Sequence, residues 1–202
     1  MSFSQHKQDL FVLNHFNNKR DGYFVEFGAT DGINISNTYL LEKDYSWNGI
    51  VAEPAKRWHG VLGQNRKCSV DHRCVWKETG QKIMFNEAPN TDLSTIDQFT
   101  HSDLWGNERD SGNRYEVETV SLNDLLLSHN APYNIDYLSI DTEGSEYAIL
   151  TAFDFTKHRI EIISCEHNKT PMKTTIANFL AAKGYQIVHQ TDTEYEDWFI
   201  LK

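Results

Sequence analysis

Apolar positions recur along this chain with two periods, and their alternation predicts its elements. Residues 8–16 carry apolar side chains at helical spacing, and the polar run 17–22 ends them. Short apolar runs at 23–27, 49–52, 69–76, 135–140 and 161–165 read as buried strands. Between them, helices are expected over 38–43 (started by Ser36 or Asn37), 56–65, from the cap Ser121 through Leu127, after Thr142 through Leu150, and over 173–183. Gly184 follows the last of these as a C′ glycine. Residues 81–85 and 115–120 also read as strands. The final pair, 185–189 and 198–201, is joined by an acidic turn too short for a crossover helix, so it is expected to be antiparallel.

Strands alternating with helices imply a largely parallel sheet with helices on both faces. One segment departs from that rhythm. Residues 86–113 are polar and turn-rich around Trp105, and read as an insertion too polar to be core, lying on the ligand side of the sheet and expected to form part of an acceptor site. No linker composition marks a boundary, so residues 1–202 are expected to form one domain.

Composition narrows the function. A chain of 202 residues, 39% hydrophobic and 12% aromatic, supports one good core. Its net charge of −10 and pI near 5.3 weigh against a nucleic-acid partner. Cys68, Cys74 and Cys165 form neither an even-numbered framework nor a Cys-x-x-Cys pair. No apolar run is long enough to span a membrane, and residues 1–5 lack a signal-peptide core, so a cytoplasmic address is expected. Oligomeric state is not readable here.

The chemistry concentrates where 23–27 runs into a loop with Glu26, Gly28, Asp31 and Gly32. Glycines let the backbone turn tightly and approach a ligand, while a carboxylate there suits an ammonium and not a phosphate. About twenty residues later a second buried strand ends in Glu53, where an acid in a doubly wound sheet takes ribose hydroxyls. A ribose at one end and an amino acid at the other describe S-adenosylmethionine. A nicotinamide dinucleotide, and hence an oxidoreductase, is the competing reading. Thr30 replaces the second glycine of its fingerprint, and acids flank the loop. A non-catalytic binding protein that keeps the fold is the third.

The stretches Ser4-Gln5 with Gln8-Asp9, Phe24 to Gly32, Ser36-Asn37-Thr38 with Leu41-Glu42, Trp47 with Gly49, Glu53-Pro54, and Ile140-Asp141-Thr142-Glu143-Gly144-Ser145-Glu146 together resemble the FkbM family of S-adenosylmethionine-dependent methyltransferases. The last is the most specific. The resemblance implies a class I, Rossmann-like three-layer α/β sandwich, with a mostly parallel sheet of about seven strands and an antiparallel last strand. It also implies methyl transfer to a hydroxyl, with a sugar, glycan or similar polyhydroxylated small molecule as acceptor.

Residue by residue, Glu26, Gly28, Ala29 and Thr30 are expected under the methionine end of the donor, with Asp31 and Gly32 at the turn beyond. Asn37 is placed to reach the donor's carboxylate, and Asp31 reads equally well as a cap. Glu53 should take the ribose, with Pro54 on one face of the adenine and Cys74 and Val75 on the other. Strand ends gather Asp141, Glu143, Glu166 and His167 on the acceptor side. There His167 is the candidate general base, oriented by Glu166 or Asp141. The same four residues are a candidate set for magnesium or manganese. Glu146 reads as helix-start electrostatics, and Trp105 or Tyr115 offers a flat face to a sugar ring.

Overall fold

Residues 24–27 are buried on both sides although one of them is Glu26, because their strand lies in the middle of a sheet. The computed structural model describes residues 1–188 and 194–202; residues 189–193, with His189 and the first part of the acidic turn after it, lie outside the described residues. In chain order the first half holds α1 (Gln8–His15), β1 (Tyr23–Phe27), α2 (Tyr39–Tyr45), β2 (Asn48–Ala52), α3 (His59–Asn65), β3 (Ser69–Asp71), β4 (Cys74–Trp76), β5 (Lys82–Glu87), β6 (Thr95–Ile96) and α4 (Gly106–Arg109). The second half holds β7 (Asn113–Ser121), α5 (Leu122–Ser128), β8 (Asn134–Ile140), α6 (Glu146–Ala152), β9 (Arg159–Glu166), α7 (Met172–Ala182), β10 (Tyr185–Val188) and β11 (Glu196–Leu201).

Seven strands form the main sheet in the order β10-β11-β9-β8-β1-β2-β3. From β9 to β3 every pair is parallel, and β11 enters antiparallel to both of its neighbours. Alternating side chains feed two cores. Val25, Phe27, Ile50, Leu138 and Ile163 pack on one face with α5, α6 and α7. Phe24, Val51, Tyr137 and Ile162 pack on the other with α1, α2 and Leu62 of α3. This is the expected three-layer arrangement. Among the described residues, no helix is long and apolar enough to cross a membrane.

Two expectations are corrected. Residues 69–76 are two strands, because Asp71 accepts the Arg73 backbone N–H at 2.9 Å and clasps the Arg73 guanidinium at 2.6 and 3.0 Å. That turn sends β4 into a second sheet of order β4-β7-β5-β6, with a small core of Ala55, Cys74, Trp76, Phe85, Ile96 and Val117. Nor is 86–113 merely a polar surface excursion. Asn86 and Arg109 are wholly buried there, and apart from Asn86 Oδ1 their side-chain polar groups are met internally. Asn86 Nδ2 donates to Thr100 Oγ1 and to the Arg109 carbonyl, both at 3.0 Å.

Candidate active site

The reversal of strand order between β1 and β8 leaves a crevice above the carboxyl ends of the parallel strands, where ligands of open α/β sheets bind. A cavity of about 410 Å³ opens there. Phe27, Gly28, Glu53 and Asp141 line it from the strand ends, Cys74 and Val75 from the second sheet, and residues 90–94 with Trp105 from the inserted segment. A side chamber of about 30 Å³ continues from it past Ala29, Thr30 and Asn37.

Glu53 ends β2 with its carboxylate buried at 4% exposure. One oxygen accepts the Thr30 N–H at 2.9 Å and the other the Ala55 N–H at 2.7 Å. Thr30 sits in the left-handed region (φ 47°) to present that N–H. A carboxylate has about four acceptor sites, so each oxygen retains one for a ligand. Burial pushes the Glu53 carboxyl up to about 7, against the pull of the two N–H donors. Pro54, Cys74 and Val75 stand beside it on the cavity wall, and the Cys74 thiol, pushed up to about 12 by burial, stays neutral.

The loop after β1 departs from several expectations. Glu26 is not a free anion. Its carboxylate takes Ser36 Oγ at 3.0 Å, Asn37 N–H at 2.6 Å, Thr38 Oγ1 at 2.6 Å and Arg66 Nη1 at 3.3 Å, anchoring the start of α2. Asn37 spends its backbone N–H on Glu26 and one Nδ2 proton on Ser139 Oγ at 2.9 Å, which leaves the second Nδ2 proton, at the wall of the side chamber, for a donor carboxylate. Asp31 ties off its own turn by accepting the N–H groups of Ile33 and Asn34 at 2.8 Å, and lies off the cavity wall. Gly32, at φ 80°, makes room for Leu62 and Arg66 and not for a ligand. Gly28 does face the cavity, yet what forbids a side chain there is protein: a Cβ would lie 2.1 Å from the Asp141 carbonyl oxygen.

On the acceptor side, carboxylate oxygens of Asp141, Glu143 and Glu166 lie within 4.8 Å of one another. Glu143 is already paired, accepting Arg109 Nη2 and Asn168 Nδ2 at 2.6 Å each. Asn168 also donates to Glu166 at 3.0 Å. Burial pushes Asp141 up to about 7, and burial with neighbouring negative charge pushes Glu143 and Glu166 well above the usual carboxylate range. The hydrogen bond between Asp141 and Glu166 favours charge on Asp141 and the proton on Glu166. Glu146 keeps the structural role expected of it, closing the loop onto the N–H groups of Thr142 and Gly144 at 3.0 Å.

His167 is elsewhere. Successive residues of extended chain face opposite ways, so with Glu166 on the cavity its neighbour turns into the protein. The His167 ring is buried, with Nδ1 accepting the Lys169 N–H at 3.1 Å and Nε2 at 3.6 Å from Asp197 Oδ2. It lies off the cavity wall, which removes it as base and as the fourth ligand of a metal set. Trp105 lines the cavity; Tyr115 does not, its hydroxyl donating to Glu87 and accepting the Lys56 N–H at 2.9 Å. Arg109 and Asn168, which hold the acidic cluster in place, were not singled out from sequence. Arg109 stands in no local motif and Asn168 only in an Asn-x-Thr sequon that says nothing of this site; the three-dimensional contact alone gives them a role.

An open sheet with β11 inserted antiparallel, an acid at the end of β2 and a cavity above the strand ends define a class I methyltransferase fold, the fold that takes S-adenosylmethionine as methyl donor. A solved structure of precorrin-6y C5,15-methyltransferase from Geobacter metallireducens shares it, with a TM-score of 0.50 at 11% identity over 95% of this chain and 85% of that one. A human methyltransferase 10 domain containing protein gives 0.47 at 11% identity over 95% and 78%. A putative RNA methyltransferase from Pyrococcus horikoshii gives 0.44 at 12% over 96% and 79%. The chain belongs to the FkbM methyltransferase domain family, whose model matches residues 26–187. No curated protein matches it by sequence.

Proposed function

We propose that this protein is an O-methyltransferase acting on a hydroxyl of a glycan or other polyhydroxylated small molecule. The observation that carries the reading is Asp141: a carboxyl on the cavity wall, within 4.8 Å of the Glu166 carboxyl and raised by burial to ionise at about pH 7, in the same cavity as Trp105. The wall fits the methyl donor. Glu53 retains acceptor sites for two ribose hydroxyls, and Pro54, Cys74 and Val75 supply apolar faces for adenine. S-adenosylmethionine, when bound, supplies a methyl group on a positively charged sulfur.

The chain's own residues do the rest. Asp141 takes the proton of the acceptor hydroxyl, which is a weak nucleophile until a base within hydrogen-bond reach removes it. Glu166 holds its proton and steadies the Asp141 carboxylate. Residues 90–94 and Trp105 exclude water, and the indole gives a sugar ring a flat apolar surface. The whole chain is read as one domain in which 86–113 completes the acceptor site.

The test is transfer from labelled S-adenosylmethionine across a panel of sugars and polyols, with nuclear magnetic resonance locating the new methyl group. Trp105→Ala should raise the acceptor KM at least several-fold with S-adenosylhomocysteine affinity retained. A methyl group found on nitrogen or carbon sinks the O-methyl reading. Tight S-adenosylhomocysteine binding with no transfer to any acceptor leaves a binding protein.

A further inference from the structure

The charge of the cavity wall says what kind of acceptor it admits. Glu53, Asp92, Glu108, Asp141, Glu143 and Glu166 line it, and among the described residues no lysine, arginine or histidine does, in a chain with 19 Lys and Arg. Arg109 compensates Glu143 from behind, wholly buried, and the donor's positive charge answers part of the remainder at the Glu53 end. Asp92 and Glu108 belong to the inserted segment and line the cavity with Trp105, both of them exposed. No counter-charge reaches either of them within the protein: neither forms an ion pair among the described residues. Asp92 is pushed up by burial and by Asp31, so a cation beside it would relieve a cost already present. An indole face next to carboxylates is also a good surface for an ammonium group. A phosphate or carboxylate entering the same space would meet like charge at close range and gain no cation.

Resting on the O-methyltransferase reading, we propose that the acceptor is an amine-bearing polyol of the amino-sugar class. Its protonated amine is held between Asp92, Glu108 and the Trp105 ring, and phosphorylated or acidic acceptors are rejected. The amine is a recognition group; the methyl group goes to a neighbouring hydroxyl.

Direct binding to the full chain tests this without depending on turnover. Glucosamine, N-acetylglucosamine, glucose and glucose 6-phosphate are titrated by calorimetry, with and without S-adenosylhomocysteine. Glucosamine should bind at least ten-fold more tightly than the other three, and the advantage should shrink as sodium chloride rises. Asp92→Asn with Glu108→Gln should remove most of that preference while leaving S-adenosylhomocysteine affinity within two-fold. Equal binding of all four, binding of none, or preference for glucose 6-phosphate overturns the proposal. So does a preference that appears only with magnesium chloride and extends to glucose 6-phosphate, because the carboxylates would then serve a metal. Loss of S-adenosylhomocysteine binding alone indicts the methyltransferase reading, and methyl transfer to the amine itself indicts only its oxygen specificity.

Discussion

Arg109 Nη2 lies 2.6 Å from Glu143 Oε2, and together with Thr95 Oγ1, which donates to the Glu143 carbonyl at 2.8 Å, it fastens the inserted segment to the loop that follows β8. Arg109 also donates to Asp103 at 2.8 and 2.9 Å and to the Leu93 carbonyl at 2.7 Å, with its side chain wholly buried. The segment is thus held by a satisfied polar core and not by apolar packing alone.

Arg109→Met should therefore cost about 3–5 kcal/mol of stability, since it leaves the buried carboxyls of Asp103 and Glu143 without their counter-charge. Arg109→Lys should recover part of that, keeping the charge but losing the fork. Urea denaturation measures both. An unchanged midpoint in Arg109→Met would show that the cover is held by something else.

Gly28 yields a second prediction. At φ 75° and with a Cβ only 2.1 Å from the Asp141 carbonyl oxygen, Gly28→Ala must push β1 away from the end of β8. The thermal midpoint of the ligand-free protein should fall, by an amount matching at least about 1 kcal/mol. If glycine served only to clear a ligand's path, the ligand-free protein would melt as before and donor binding alone would suffer.

How much of this was legible beforehand follows from locality. β1, β2, β8 and β9 were readable because each is a short apolar run whose period matches its burial. Glu53 and Asp141 were readable because they end such runs. Glu26 was legible only in part for a physical reason: a carboxylate at a strand end looks the same in sequence whether it is free for a ligand or, as here, lines the side chamber while capping the next helix and pairing with Arg66, forty residues on. His167 was misjudged because register decides which of two adjacent polar residues faces the cavity. Arg109 escaped notice because only the contact with Glu143, remote in sequence, distinguishes it from a surface arginine.

The shifted carboxyls make stability and binding depend on pH in a defined sense. Burial raises Glu53 from its ordinary 4.5, and Asp141 from 3.8, both to about 7. An acid raised in the folded state binds more protons there than when unfolded, so folding stability falls as pH rises. The ligand-free protein should lose stability between about pH 4 and pH 7 on their account. Affinity for the cationic S-adenosylmethionine should rise across the upper part of that window as Glu53 ionises. Glu53→Gln should flatten that rise in donor affinity and cost about 1.5–3 kcal/mol of binding at pH 8, the scale for hydrogen bonds to a charged group. Calorimetry at several pH values measures both; a flat wild-type profile would remove Glu53 from the ribose.

Asp141 and His167 separate chemistry from structure. Asp141 stands on the cavity wall beside Glu166, and His167 is turned into the protein against Asp197. Asp141→Asn should lower turnover roughly 10² to 10⁴-fold, the range for removing a general base, with S-adenosylhomocysteine affinity retained. In the wild type, turnover should rise through about pH 7, where Asp141 loses its proton, and the variant should lose that limb. His167→Ala acts differently. It opens a gap beside Asp197 and should lower the melting temperature, while the folded fraction keeps the wild-type pH–rate profile. Turnover measured per folded molecule, at a temperature where both variants remain folded, decides between them. A His167→Ala enzyme that is stable yet inactive would reverse the assignment, returning the proton transfer to the imidazole.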